Sequence, residues 1–579
     1  MFKYIFYEFV TNNTTEVKQL NFLKNIYKFS FVLTGIILCS CNSASNLEIA
    51  PNTGGTFSYC SPNRLHQLHP TLISDESTKL VANQIFEGLV KLNHETLETE
   101  PSIAGEISFD QKKFIYTFKI KEGVYFHDNP CFENGKGRKL TANDIIYTFK
   151  NLCTKQLINS AYHTVLKGVV KGVEDYFLGQ SDNILGIRKI DNSTIEIELH
   201  RPNGLFLRKL TGINFSIVAK EAVQKYGYGN NVGTGPFIPL KFDKYNDQQI
   251  LIKNLNYHGI DKSGNKLPYL DSIQITFDTS LKEQIKLVVN KKLSTILNLP
   301  FKAVKRVIRS NKEKFDKDIK MQNAPFLSSH FIEFNINKGI LKNKHLRKAI
   351  NYGLNKQELT YKVFGETRGK TGNTGISHPN LINYRKNGIN GYSFNLDSAK
   401  SHLKRANLDS NSLDIELDIS QDDYKALSIA DEIRFQLEQN LGLNIKINVV
   451  SQRYKLEKSR YAKGDMYISN VTANYPSPEG FLNIFYGKTV PKSLSTPSYP
   501  NTTRFINRDF DRMMDRARRS IDEENANQSF AAAERLLMDE CPIAMLWYEE
   551  TNRLINSNVK NFTLNKVQLL YFSKVYISK

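Results

Sequence analysis

A mixed α/β fold with several sheets is what the residue pattern of this chain predicts, and three observations carry that reading. Between residues 413 and 450 the hydrophobic period switches twice. Leu413, Ile415, Leu417 and Ile419 alternate as a strand, Ala426, Ile429, Ile433 and Leu437 fall on one helical face, and Leu443, Ile445, Ile447 and Val449 alternate again. Such a strand–helix–strand unit implies parallel pairing with a right-handed crossover. Second, half-buried strands recur far from this unit: Phe114, Tyr116, Phe118 and Ile120; Ile195, Ile197 and Leu199 after an Asp191-Asn192 turn; Ile273, Ile275 and Phe277. Third, no apolar run after residue 41 approaches 18 residues, which predicts a soluble globule of two or three domains.

From the N-terminus, Lys24 and Lys28 precede an apolar run, Phe29 to Cys39, that ends in Leu38-Cys39-Ser40-Cys41. A charged flank, a run too short to span a bilayer and small residues after it make an export signal. No acidic residue lies between Glu16 and Glu48, as a translocated signal requires. The ending resembles a bacterial lipobox, which would make Cys41 the lipidated first residue. Residues 42–53 then read as a tether, and Gly54 to Tyr59 as the first strand. Leu140 to Phe149 reads as a helix capped by Thr141, and His345 to Leu354 as a core helix with Leu346, Ile350 and Leu354 on one face. Ser529 to Glu540 is a further helix, stopped by Pro542, with the apolar stretch Ile543 to Tyr548 behind it.

Net charge is +20, spread along the chain. The one basic cluster, Arg508, Arg512, Arg516, Arg518 and Arg519, is interrupted by Asp509, Asp511 and Asp515 and reads as a solvated helix rather than a nucleic-acid face. Of six cysteines, Cys60, Cys131, Cys153 and Cys541 lie beyond the signal without zinc-ligand spacing, so no metal is expected. They read as buried free thiols, with a Cys131–Cys153 bridge as the alternative in an oxidising compartment.

Six blocks in order carry a family resemblance: Gln84-Ile85-Phe86-Glu87-Gly88-Leu89-Val90; Pro101 through Tyr116-Thr117-Phe118, Gly123-Val124-Tyr125-Phe126-His127-Asp128 and Leu140-Thr141-Ala142-Asn143-Asp144; Gly233-Thr234-Gly235-Pro236-Phe237 with Leu267-Pro268-Tyr269-Leu270-Asp271; Phe334-Asn335 with Leu346-Arg347-Lys348-Ala349-Ile350; Tyr475-Pro476-Ser477-Pro478-Glu479; and Ala533-Glu534 with Pro542-Ile543-Ala544. With them the chain resembles the solute-binding lipoproteins of bacterial ATP-driven peptide importers over residues 54–579. The resemblance implies a two-lobed periplasmic-binding-protein fold of the flytrap type II, closing on ligand. Lobe I would combine 54–83, 205–306 and 530–579, with 84–204 as an extra domain within it, and lobe II would be 307–529. Extended peptides would be held through main-chain hydrogen bonds in the interlobe cleft.

The resemblance also places a site. One wall would come from Tyr59, Cys60, Ser61 and Pro62. The other would come from Val471, Thr472, Ala473, Asn474 and Tyr475, where peptide-binding members carry an Asp that pairs with the peptide α-amine. Asn474 stands at that position here and supplies no charge, which leaves blocked peptides, a different solute, a carboxylate from elsewhere such as Glu549, or a plain turn cap. Trp547 and Tyr548 match an aromatic stretch that faces the cleft in the family, with core packing as the alternative. His258 replaces a family Trp and reads as a surface residue rather than a metal ligand. The expected partners are a peptide or peptide-like solute, permease subunits and, through a lipid, the membrane. The chain would act as a monomer with no cofactor and no nucleic acid. Chelated nickel or haem as the solute, a flytrap receptor or peptide chaperone, and an exported hydrolase are the competing readings. No GxSxG or HExxH occurs, and Gly365 to Thr371 is one residue short of a phosphate-binding loop.

Overall fold

The computed structural model describes residues 54–579 apart from 66, 74, 155–160, 241–246, 300–302, 304–308, 310–312, 314–316, 366–369, 386–387, 409–413, 568 and 579. The expected signal, Cys41 and the tether lie outside the described residues. The strands in chain order are β1 (Thr56–Cys60), β2 (Val90–Leu92), β3 (Thr99–Pro101), β4 (Ala104–Asp110), β5 (Ile115–Ile120), β6 (Ile187–Lys189), β7 (Thr194–Glu198), β8 (Phe237–Pro239), β9 (Gln248–Lys253), β10 (Ser272–Thr276), β11 (Thr295–Ile296), β12 (Ile319–Phe334), β13 (Lys370–Thr371), β14 (Asp414–Ser420), β15 (Asn444–Val450), β16 (Met466–Thr472), β17 (Ile543–Asn556), β18 (Val559–Lys560) and β19 (Tyr576–Ile577).

One large sheet runs through the molecule in the order β15-β14-β16-β12-β17-β11-β1-β10-β9-β8. Two long strands join its halves. β12 pairs with β17 twice: Ile319–Pro325 against Glu550–Asn556, and Ser329–Glu333 against Ile543–Tyr548, with a register break between. The first stretch continues into β11 and β1, and the second into β16, so each long strand belongs to both halves. Pro325 has no N–H to give a ladder and sits at the break, where a strand tolerates it.

The second half holds the period-switching unit. β14 and β15 are parallel over their full length, and the helix Tyr424–Leu441 between them buries Ala426, Ile429, Ile433 and Leu437. This face packs with Leu346 and Ile350 of the helix Lys344–Gly353. The extra sheet, β4-β5-β7-β6, is separate, and its core gathers Phe118, Ile195 and Ile197 under the helix Ala142–Leu152. Thr141 caps that helix in a reciprocal box with Asp144.

Some expectations change. The first strand begins at Thr56, because Gly54 and Gly55 take positive φ. Phe114 also has positive φ, so it turns the chain before β5 instead of opening it. The last helix starts at Glu523, where the Asp522 side chain accepts from the Asn525 N–H, and runs unbroken to Glu540. The boundary expected at residue 530 falls inside it; the chain returns between halves along β17. All four described cysteines are free thiols. The helix Arg508–Arg519 is solvated on one side only, since Phe510, Asp511, Met514 and Ala517 are buried.

Candidate functional site

β1 is a central strand, held by β10 along its whole length and by β11 at Tyr59. Its C-terminal end therefore opens into space that neighbouring strands cannot fill. Tyr59, Cys60, Ser61 and Pro62 line a cleft there of about 140 Å³, with Lys79 and Asn83 from the helix Glu76–Ile85, Asn298 beyond β11, Arg553 of β17 and apolar residues of 564–570. Cys60 Sγ lies 3.1 Å from Thr276 Oγ1, and the Ser61 N–H donates to Thr276 O at 2.9 Å, which fixes the turn out of the strand. Burial pushes the Tyr59 phenol up, so it stays a neutral donor.

The other predicted wall follows β16 in the second half. Val471 pairs with Ser329, Thr472 Oγ1 donates to Ser328 Oγ at 2.9 Å, and the Ala473 N–H donates to Leu327 O at 2.9 Å. These three are occupied in holding β16 to β12. Asn474 is exposed, and its Oδ1 accepts from Lys79 Nζ at 2.9 Å. That hydrogen bond joins the two predicted walls, and Lys79 is a cleft residue that sequence reasoning missed. Asn474 is a neutral amide already engaged by a cation.

Tyr475 turns away from the cleft. Its Oη donates to Glu479 Oε2 at 2.8 Å, and burial together with that carboxylate pushes the phenol well above its ordinary range. Glu479 is buried and also meets Lys209 Nζ at 2.8 Å and Arg518 Nε at 2.7 Å. Burial alone would raise the Glu479 carboxyl, but Lys209 and Arg518 outweigh it and hold it at about 2. Lys209 belongs to the first half, so this ionic group is a second bridge between halves.

Trp547 and Tyr548 do not line the cleft. Trp547 is fully buried, stacked on His330 at 4.6 Å between ring centroids and edge-on to Phe364. Tyr548 Oη lies 2.6 Å from Thr374 Oγ1 and donates to Gly375 O at 2.5 Å. Both faces of β17 are covered here, which turns its aromatics into core. Glu549 is not a free carboxylate either: Lys425 Nζ lies 2.5 Å from Oε1 and His330 Nε2 3.1 Å from Oε2. His258 is no surface residue. Its side chain is 8% exposed and its Nε2 lies 2.9 Å from Glu87 Oε2. Glu87 also accepts from Thr234 and Tyr257, so His258 helps satisfy a buried carboxylate. Among the described residues no group of His, Cys, Asp and Glu is arranged to hold a metal ion.

Three comparisons with known proteins bear on this arrangement. The profile of the bacterial extracellular solute-binding proteins, family 5 Middle, matches residues 98–493. The "Dipeptide-binding protein" of Escherichia coli (strain K12) is 24% identical over 571 residues, 96% of this chain and 99% of that protein. The "Oligopeptide-binding protein OppA" of Bacillus subtilis (strain 168) is 23% identical, over 88% of this chain and 90% of its own. Among solved structures, the periplasmic binding protein DppA of Helicobacter pylori in complex with peptide STSA superposes with a TM-score of 0.75 at 21% identity, covering 91% of this chain and 99% of its own. The fold is that of the type II periplasmic binding proteins, as the continuous sheet with two joining strands indicates.

Proposed function

The chain belongs to the bacterial extracellular solute-binding proteins of family 5, and from that membership we propose that it is the capture subunit of an ATP-driven importer, closing on a peptide or peptide-like solute and handing it to a membrane permease. The observation that supports this reading is the Lys79–Asn474 hydrogen bond, which ties a helix that lines the cleft at the end of β1 to the turn that follows β16 in the second half. A solute touching both walls favours the closed arrangement by whatever contacts the open one lacks. β12 and β17, the strands shared by both halves, are the elements that would flex, with the register break at Pro325 to Ser329 as the soft point. The peptides named for the H. pylori structure and for the two curated relatives support the solute class. Export, a lipid on Cys41 and action as a monomer complete the proposal, with lobe I formed from residues before β12 and after β17. Solution scattering tests it: a mixture of di- to hexapeptides is expected to reduce the radius of gyration and raise the melting temperature. No change in either would remove peptides as the solute.

A further inference from the structure

Arg553 is the group in the cleft that the protein itself leaves unanswered. It is fully buried on β17 and lines the same space as Tyr59, Ser61 and Lys79. Neither Nε nor either Nη has a hydrogen-bond partner among the described residues. Its guanidinium carbon lies 4.0 Å from the centroid of the Phe562 ring, an attraction for the face of the cation that uses none of its five N–H donors. Burial without a counter-charge pulls its pKa down from 12.5 to about 9. Native proteins rarely bury a charge unpaired, and the fork of donors in a guanidinium matches a carboxylate two-to-two. The remaining charges point the same way. Lys79 is the second cation on the wall and Glu76 the one carboxylate among the described residues that line it, 3.5 Å from Lys79 on the same helix.

We propose that the solute carries a carboxylate and that this carboxylate seats on Arg553, with Lys79 adding to the attraction. The inference rests on the capture reading above and deepens it: the cleft grips its cargo by an anionic end, whereas Asn474 offers no anion to an ammonium group. A peptide's own C-terminus, or an acidic side chain, supplies such a group.

Calorimetry on the full chain with trialanine and trialanine amide tests this. The amide is expected to bind about ten- to a hundredfold more weakly, the worth of a charge-assisted hydrogen bond. Arg553→Gln is expected to erase the difference between acid and amide, and Arg553→Lys to keep part of it. The lysine variant serves in its place if R553Q does not fold. Equal binding of acid and amide by the natural chain, or an undiminished difference in R553Q, would overturn the inference while leaving peptide capture intact. If trialanine does not bind at all, the capture reading loses support, and the carboxylate seat is then decided with acetate. A rise in melting temperature over chloride at matched ionic strength, present in the natural chain and absent in the Arg553 variants, upholds it. No such difference refutes it.

Discussion

At the contact of Asn203–Lys209 with Tyr475–Glu479 the two halves bury two cations around one shared carboxylate, while in the cleft at the end of β1 lies a buried cation with no hydrogen-bond partner among the described residues. In the first region Glu479 has Lys209, Arg518 and Tyr475 around it, and Gly204 lets the backbones approach so closely that an added Cβ would lie 2.2 Å from Ser520 O. In the second, Arg553 has an aromatic face and, among the described residues, no hydrogen-bond partner. The difference teaches what each region is for. Charges that satisfy one another hold the two halves together in this structure, and the unpaired one is the proposed seat of a carboxylate.

Breaking the region around Glu479 gives the largest expected effect. Glu479→Gln leaves Lys209 without its carboxylate and Arg518 with only the Asp515 carboxylate, 3.9 Å away, and should cost about 3–5 kcal/mol in urea unfolding. The effect carries a pH signature. The Glu479 carboxyl sits at about 2 in the folded chain against an ordinary 4.5, so its contribution is complete above pH 4.5 and is lost as pH falls toward 2. The stability gap between the natural chain and E479Q should therefore shrink over that window. A gap independent of pH would mean that the ionic group does not account for it.

Gly204→Ala should cost less, about 1–3 kcal/mol, because the clash is with main chain that has no room to give. If the contact forms only in the closed form, scattering should show a larger particle in G204A even with peptide present. Smallest is Asn474→Asp. With Lys79 Nζ 2.9 Å away the new carboxylate would form a half-exposed ion pair with it, adding about 0.2–1 kcal/mol. Affinity for free-amine peptides should rise only when Lys79→Ala is added, because Lys79 otherwise neutralises the new charge. A rise in N474D alone would show that Lys79 does not hold this position in solution.

Much of the fold was legible in the sequence because it rests on periodicity, which is local. The unit around Ile415, Ile433 and Ile445 and the capping box at Thr141 need no knowledge of distant residues. The cleft was legible in part: Tyr59 to Pro62 do line it, on the strength of a resemblance. The rest depended on partners far apart in the chain. Lys79 meets Asn474 across 395 positions and Lys209 meets Glu479 across 270, and no spacing rule connects them. β12 hid because Ser328, Ser329, His330 and Glu333 break its apolar pattern and Pro325 interrupts it. His258 was misread because a histidine looks alike on a surface and beside a buried carboxylate until Glu87 is seen next to it. One signal was present and unused. In β17, Arg553 stands in a run whose neighbours Leu554 and Ile555 are core, and a lone cation on a buried strand asks for a partner.

The central claim is that the chain encloses cargo and releases it unchanged, and one measurement meets it directly. The protein is equilibrated with a defined mixture of short peptides, freed of unbound material and denatured, and the released molecules are weighed by mass spectrometry. The account predicts a retained subset at unchanged mass, enriched in free C-terminal carboxylates over their amides. Fragments of the input peptides, or a protein that retains none of them, would contradict it.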